Sequence, residues 1–161
     1  MKFQKHPFGP IYNKQSTILI LGSFPSVKSR QNGFYYGNPN NRFWKVLEEV
    51  WGKAVPRDIE GKIDFLLEHH IALWDVLASC EISGSSDASI RNPVPNDLNV
   101  ILKGSSVSKI LANGQLASRM INQYHADKEK IKLITLPSTS PANASWSLER
   151  LIEVWSSAIL F

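Results

Sequence analysis

Apolar residues follow two rhythms along this chain: short unbroken runs, and longer stretches in which they recur every three or four positions. The runs are Thr17–Leu21, Ile71–Trp74, Val107–Ala112 and Ile131–Leu136. Strands covered on both faces read as such near-continuous runs. Helical spacing joins Phe43, Val46, Leu47 and Val50, with Asn38-Pro39 as cap and first-turn proline and Gly52 and Pro56 as the stop. A second helix is predicted from Asp58 to His69, with Ile59, Ile63, Leu66 and Leu67 on one face. A short one runs from an Asn96-Asp97 cap through Lys103, ended by Gly104-Ser105. Ala117, Met120, Ile121 and Tyr124 mark the next, after Asn113-Gly114. The last starts near Ser145 or Ser147 and carries Leu148, Leu151, Ile152, Trp155 and Ile159. Residues before Thr17 read as irregular, Cys80 to Asn96 as a long loop or a short helix between loops, and Ala126–Lys130 as a polar turn. Strands that alternate with helices predict a parallel sheet with helices on both faces and right-handed crossovers.

Composition narrows the setting. A chain of 161 residues fits one domain spanning 1–161. At 43% apolar and 20% charged it reads as a soluble globular protein. No run approaches the roughly 20 apolar residues of a membrane span, and no apolar segment follows the basic start as in a secretion signal. The net charge of +4 and a pI near 9.2 are compatible with a nucleic-acid partner without requiring one. Cys80 is the only cysteine, which excludes an internal disulfide and any cluster held by several of the chain's thiolates. His69 and His70 are adjacent on a helix and diverge, so they predict a solvated helix end and no shared metal.

The polar residues with chemical promise gather in four predicted loops, all leaving strands at the same end of the sheet: Gly22–Pro39, Asp75–Asn96, Asn113-Gly114 and Pro137–Ala144. That end is where α/β proteins bind ligands. Gly22-Ser23-Phe24-Pro25-Ser26 can bring backbone N–H groups close to an anion or acceptor atom, yet it is neither a dinucleotide fingerprint nor a phosphate-binding loop with its lysine. Tyr35 and Tyr36 face opposite ways if that segment is extended, so one of them can stack on a flat ring. Asn41 reads equally as a helix cap or as a hydrogen-bonding side chain for a base edge or a water. Asp75, closing the second strand, is the best-placed carboxylate for activating a water, with a capping role as its alternative.

These residues also resemble a known family. Gly22-Ser23-Phe24-Pro25-Ser26, Ser29, Tyr35-Tyr36, Pro39, Asn41 and Phe43-Trp44 resemble the first motif of the uracil-DNA glycosylase superfamily, and more narrowly its hypoxanthine-DNA glycosylase branch. Leu136 to Ala144 is similar to the second motif, and 72–77 together with Arg91-Asn92 and Pro95-Asn96-Asp97 also look like that branch. The resemblance implies a three-layer α/β/α sandwich with a short four-stranded parallel sheet. It implies a monomeric, cofactor-free and metal-free hydrolase that acts on DNA containing deaminated bases, at the nucleoid in a prokaryotic cytoplasm and with no membrane partner. It would release hypoxanthine from deoxyinosine by flipping the nucleotide into a pocket, initiating base excision repair. Uracil or broader deaminated-base specificity, or a non-catalytic nucleotide-binding module, are the alternatives. By position Tyr36 would stack on the base, and the backbone at Ser23 and Phe24 would meet its edge. Ser138, Ser140 and Pro141 would lie along the DNA backbone, with Asn113-Gly114 as a further phosphate contact. Where many relatives carry a water-positioning polar residue this chain has Phe24, and the role passes to Asn41. Ala142, Asn143 and Ala144 replace the bulky wedge of many relatives.

Overall fold

The computed structural model describes residues 1–125 and 131–161; the turn expected at Ala126–Lys130 lies outside them. Four parallel strands form the central sheet: β2 (Ile18–Gly22), β3 (Ile71–Asp75), β6 (Lys109–Asn113) and β7 (Lys132–Leu136), in the order β3-β2-β6-β7. Leu19, Ile20, Leu21, Ile71, Ala72, Leu73, Leu111 and Ala112 are fully buried. Their unbroken apolar character is what a sheet covered on both faces demands.

Chain order dictates which helix covers which face. From β2 the chain moves outward to β3 through α1 (Val27–Asn32), α2 (Phe43–Trp51) and α3 (Ile59–Glu68). From β6 it moves the opposite way to β7 through α5 (Gln115–Tyr124). Right-handed crossovers in opposite directions place those helices on opposite faces. The C-terminal helix α6 (Leu148–Leu160) packs on α2, where Phe43 meets Trp155 edge-on at 6.1 Å. The fold is thus the three-layer α/β/α sandwich that the alternation predicts. Its direction reverses between β2 and β6, and such a switch opens a crevice at the carboxyl ends of the strands.

Several helix ends are where the sequence puts them. Asp58 caps α3 by accepting from Gly61 N–H, and Ser147 caps α6 by accepting from Arg150 N–H. The short α4 (Asn99–Gly104) follows Asp97, whose carboxylate accepts from Asn99 N–H. The α2 start differs: Asn38 and Asn41 close a turn of their own, and the helix begins at Phe43. His69 ends α3 half-buried against Trp51 and Phe65 rather than fully solvated.

The larger difference is a second sheet. The segment expected to be irregular holds β1 (Lys2–Lys5), and the expected loop after Asp75 holds β4 (Leu77–Ile82), a 3₁₀ turn at Asp87–Ser89 and β5 (Arg91–Pro95). They form an antiparallel sheet in the order β1-β4-β5. Polar β1 and proline-bearing β5 are both edge strands, a position that tolerates Pro93 and Pro95 and hides both from apolar patterning. The two sheets join at Val76. Val76 and Leu77 donate to Gly22 and Ser23 carbonyls before the chain swerves into β4. Ile11 pairs with Leu73 through two backbone bonds and covers the free edge of β3.

Candidate active site

A cavity of about 260 Å³ opens at the switch point, walled by the ends of both sheets. That size lies near the low end of the roughly 300–1,000 Å³ of small-molecule sites. It is lined by Gly22, Ser23, Phe24, Pro25, Ser26, Tyr36, Asn41, Asp75, Asn113, Ser138, Ser140 and Pro141. These are the sequence-predicted site residues with one exception. Gly114 is not on the wall but behind it, where a Cβ would approach that of Ser138 at 3.3 Å. Its φ of +100° is a further reason for glycine there.

Tyr35 and Tyr36 are not extended. Tyr36 has a φ of +52°, which turns the chain so that its ring stacks on Phe43 at 4.0 Å, near parallel. One ring face is thereby covered, and Tyr36 remains part of the cavity wall. Asn113 Nδ2 donates to the Tyr36 hydroxyl at 3.1 Å, and burial pushes that phenol far above its ordinary pKa, so it stays protonated. Tyr35 also reaches the cavity wall, but it is 2% exposed, packs beside the His6 ring at 5.8 Å and has its hydroxyl spent on Gly9 carbonyl.

Asn113 ties the two motif loops together. Its amide donates to the hydroxyls of Tyr36 and Thr139 and accepts from Thr139 N–H. Arg42 makes a second tie, its guanidinium donating to the carbonyls of Ser140, Asn143 and Trp146. In the second loop, the Ser138 and Ser140 hydroxyl oxygens accept from Ser140 and Ala142 N–H groups. Neither hydroxyl proton has an acceptor among the described residues.

Asn41 sits just ahead of α2, and its Oδ1 accepts from Phe43 N–H at 2.9 Å. That bond fixes the amide plane. Its NH₂ group has no acceptor among the described residues, and Oδ1 keeps a lone pair for a water.

Asp75 caps no helix. It ends β3 at 4% exposure, and Oδ2 lies 2.7 Å from His6 Nε2. Phe8 N–H donates to His6 Nδ1, which places the ring proton on Nε2, toward the carboxylate. A Cβ on Gly22 would stand 2.6 Å from Asp75 Oδ1 and 3.0 Å from the Tyr36 hydroxyl. Only a glycine lets both groups close over the end of β2.

His6, Ser85 and Asp87 were invisible in sequence. The β4–β5 turn that carries the last two is tied to the first motif. Ser23 Oγ donates to Asp87 Oδ1 at 3.2 Å, Val27 N–H to Ser85 Oγ at 2.9 Å, and Arg30 to Gly84 carbonyl at 3.1 Å. Asp87 stands on an exposed turn, yet its carboxyl faces the cavity, and burial there, with Asp75 nearby, pushes its pKa up despite the Ser23 bond. The Asp75–Asn96 segment placed near the site by sequence thus contributes through a turn rather than a loop. No group of three His, Cys, Asp or Glu side chains arranged to hold a metal ion occurs among the described residues. No described helix is long and apolar enough to cross a membrane.

An aromatic wall, a clamped asparagine and a buried carboxylate thus surround one polar crevice. The family model of the uracil DNA glycosylase superfamily matches residues 10–158, and the chain belongs to that superfamily. It is a DNA glycosylase of that kind. A hypoxanthine DNA glycosylase of Methanosarcina acetivorans is 32% identical over 149 residues, covering 91% of this chain and 92% of the relative. One from Methanosarcina barkeri is 29% identical over 114 residues, covering 70% and 72%. The solution NMR structure of a candidate uracil DNA glycosylase from M. acetivorans superposes with a TM-score of 0.84 at 29% identity, over 98% of this chain and 97% of that one.

Proposed function

We propose that this protein hydrolyses the N-glycosidic bond of deoxyinosine in DNA, releasing hypoxanthine and leaving an abasic site for base excision repair. The observation that carries the reading is the meeting of Tyr36, Asn41 and Asp75 on one cavity between the two motif loops. The relatives named hypoxanthine DNA glycosylase support the choice of base. In this reading the flipped purine slides against the ring of Tyr36 while the Ser138 and Ser140 hydroxyls hold the strand. Bond cleavage builds positive charge on the sugar and negative charge on the departing base. The Asn41 NH₂ group answers the second charge, and Asp75, held by His6, accepts a proton from the attacking water. No lysine lines the cavity among the described residues, so no Schiff base forms and the enzyme does not cut the strand itself.

The test is an oligonucleotide with a single deoxyinosine. Free hypoxanthine by mass spectrometry, with strand scission only after alkali, is the expected result. Uracil- and xanthine-containing strands run in parallel assign the base preference. Salt-sensitive DNA binding with no base released from any strand would reduce the protein to a binding module.

Gly22→Ala probes the crevice without touching a polar group. The added methyl must displace Asp75 or the Tyr36 hydroxyl. Misplacement on the order of 1 Å costs about 10²-fold. Single-turnover release is expected to fall by about that factor while circular dichroism stays that of the folded protein.

A further inference from the structure

The β4–β5 turn closes over the first motif, and nothing in the roles above uses the carboxyl group it brings. Asp87 Oδ1 takes the Ser23 hydroxyl, and Oδ2 has no partner among the described residues. Ser23 and Phe24 line the same cavity, and their backbone N–H groups donate to nothing in the protein among the described residues. The site therefore sets unspent donors beside an unspent acceptor. A deaminated base shows the complementary pair: a ring carbonyl next to a ring N–H, as in O6 and N1–H of hypoxanthine. Adenine shows the reverse, an amino group next to a bare ring nitrogen. A site that hydrogen-bonds such an edge rejects the base that lacks it, because its own buried groups are left unpaired.

From this we propose that Asp87 is a specificity-determining residue, whose carboxylate accepts the ring N–H of the flipped deaminated base while the Ser23 and Phe24 N–H groups donate to its carbonyl. The inference rests on the glycosylase reading above and extends it from where the base sits to how its edge is told from adenine's. The carboxylate is held in surroundings that do not favour its charge. Asp75 stands across the cavity, the Tyr36 phenol and the Cys80 thiol are uncharged neighbours, and the Arg30 guanidinium is engaged with Pro25 and Gly84 carbonyls. A group kept where it weakens the fold is expected at a binding edge.

The experiment compares the wild type with Asp87→Ala and Asp87→Asn, using strands that carry deoxyinosine or deoxynebularine, whose purine lacks both the ring N–H and the carbonyl. A wild type that releases no hypoxanthine defeats the deoxyinosine reading itself and is seen before any variant is made. Given wild-type release, Asp87→Ala is expected to slow it about 10²-fold, the scale of a lost hydrogen bond to a charged group. Asp87→Asn keeps an acceptor oxygen and is expected to recover to within about tenfold of the wild type. Release of purine from deoxynebularine, whose bare ring nitrogen faces the carboxylate lone pairs in the wild type, is expected to hold or rise in both variants. Removing the disfavoured charge should leave the Tm of Asp87→Asn at pH 8 no lower than that of the wild type. Unchanged hypoxanthine release in Asp87→Ala overturns the proposal, as does equal loss in both variants, since acceptance needs only an oxygen. A parallel fall on deoxynebularine, or a Tm loss in both variants, would reduce Asp87 to an anchor for its turn.

Discussion

Asn41→Ala is expected to slow release of hypoxanthine about 10²- to 10³-fold. One preorganised donor aimed at developing charge contributes on the order of 3 kcal/mol, and the Asn41 NH₂ is free for that use because Oδ1 is already bound to Phe43 N–H. The same bond predicts a second, smaller effect. Its loss exposes one N–H at the start of α2, a net cost of about 1 kcal/mol, or a Tm lower by roughly 2–4 °C. The two effects separate in Asn41→Asp, which retains an oxygen for Phe43 N–H but has no NH₂. That variant should melt near the wild type and still be slow. Single-turnover kinetics beside thermal melts read both. Wild-type turnover in either variant would take the departing base away from this side chain.

Asp75 carries the other large expected effect. Asp75→Asn preserves shape and a hydrogen-bonding atom toward His6 but cannot take a proton, so release should fall by about 10²- to 10⁴-fold, the range of general-base catalysis. The fold should tolerate it. Asp75→Ala is different, because it leaves the His6 imidazole, 4% exposed, facing a hole. Such a loss destabilises by about 1–3 kcal/mol on top of the kinetic defect. His6→Ala should retain part of the activity, since the carboxylate survives without its anchor. A slow Asp75→Asn protein that melts normally ties Asp75 to chemistry, and a fast one would leave the water to Asn41 alone.

What the sequence made legible follows from what is buried. Ile18–Gly22, Ile71–Asp75, Lys109–Asn113 and Lys132–Leu136 form the central sheet within two residues of the apolar runs. Burial on both faces leaves no room for polar interruption in β2 and β3, while β7, at the sheet's edge, keeps Lys132 and Thr135 exposed. The outer sheet had no such signal: Lys2–Lys5 is polar because it is an edge, and Arg91–Pro95 carries two prolines for the same reason. Losing that sheet from view meant losing what it brings to the crevice, His6 by strand pairing and Asp87 by a turn. Neither sits in a run, a repeat or a spacing. Asp75 stands out in the sequence because it ends an apolar run, but its partner lies 69 positions earlier and only the fold brings the two together. The ring of Tyr36 is legible in sequence, but the left-handed turn that aims it is not written in residue type, since tyrosine rarely adopts it.

The pairing of Lys2–Lys5 with Leu77–Ile82 has a practical corollary for anyone producing the protein. Whatever is fused ahead of Met1 emerges from a strand whose far end delivers His6 to the crevice, so a bulky leader risks prying that imidazole from its carboxylate. Phe161, 95% exposed at the other end of the chain, is the safer point of attachment. A preparation tagged in front and found sluggish should be trimmed before its chemistry is judged.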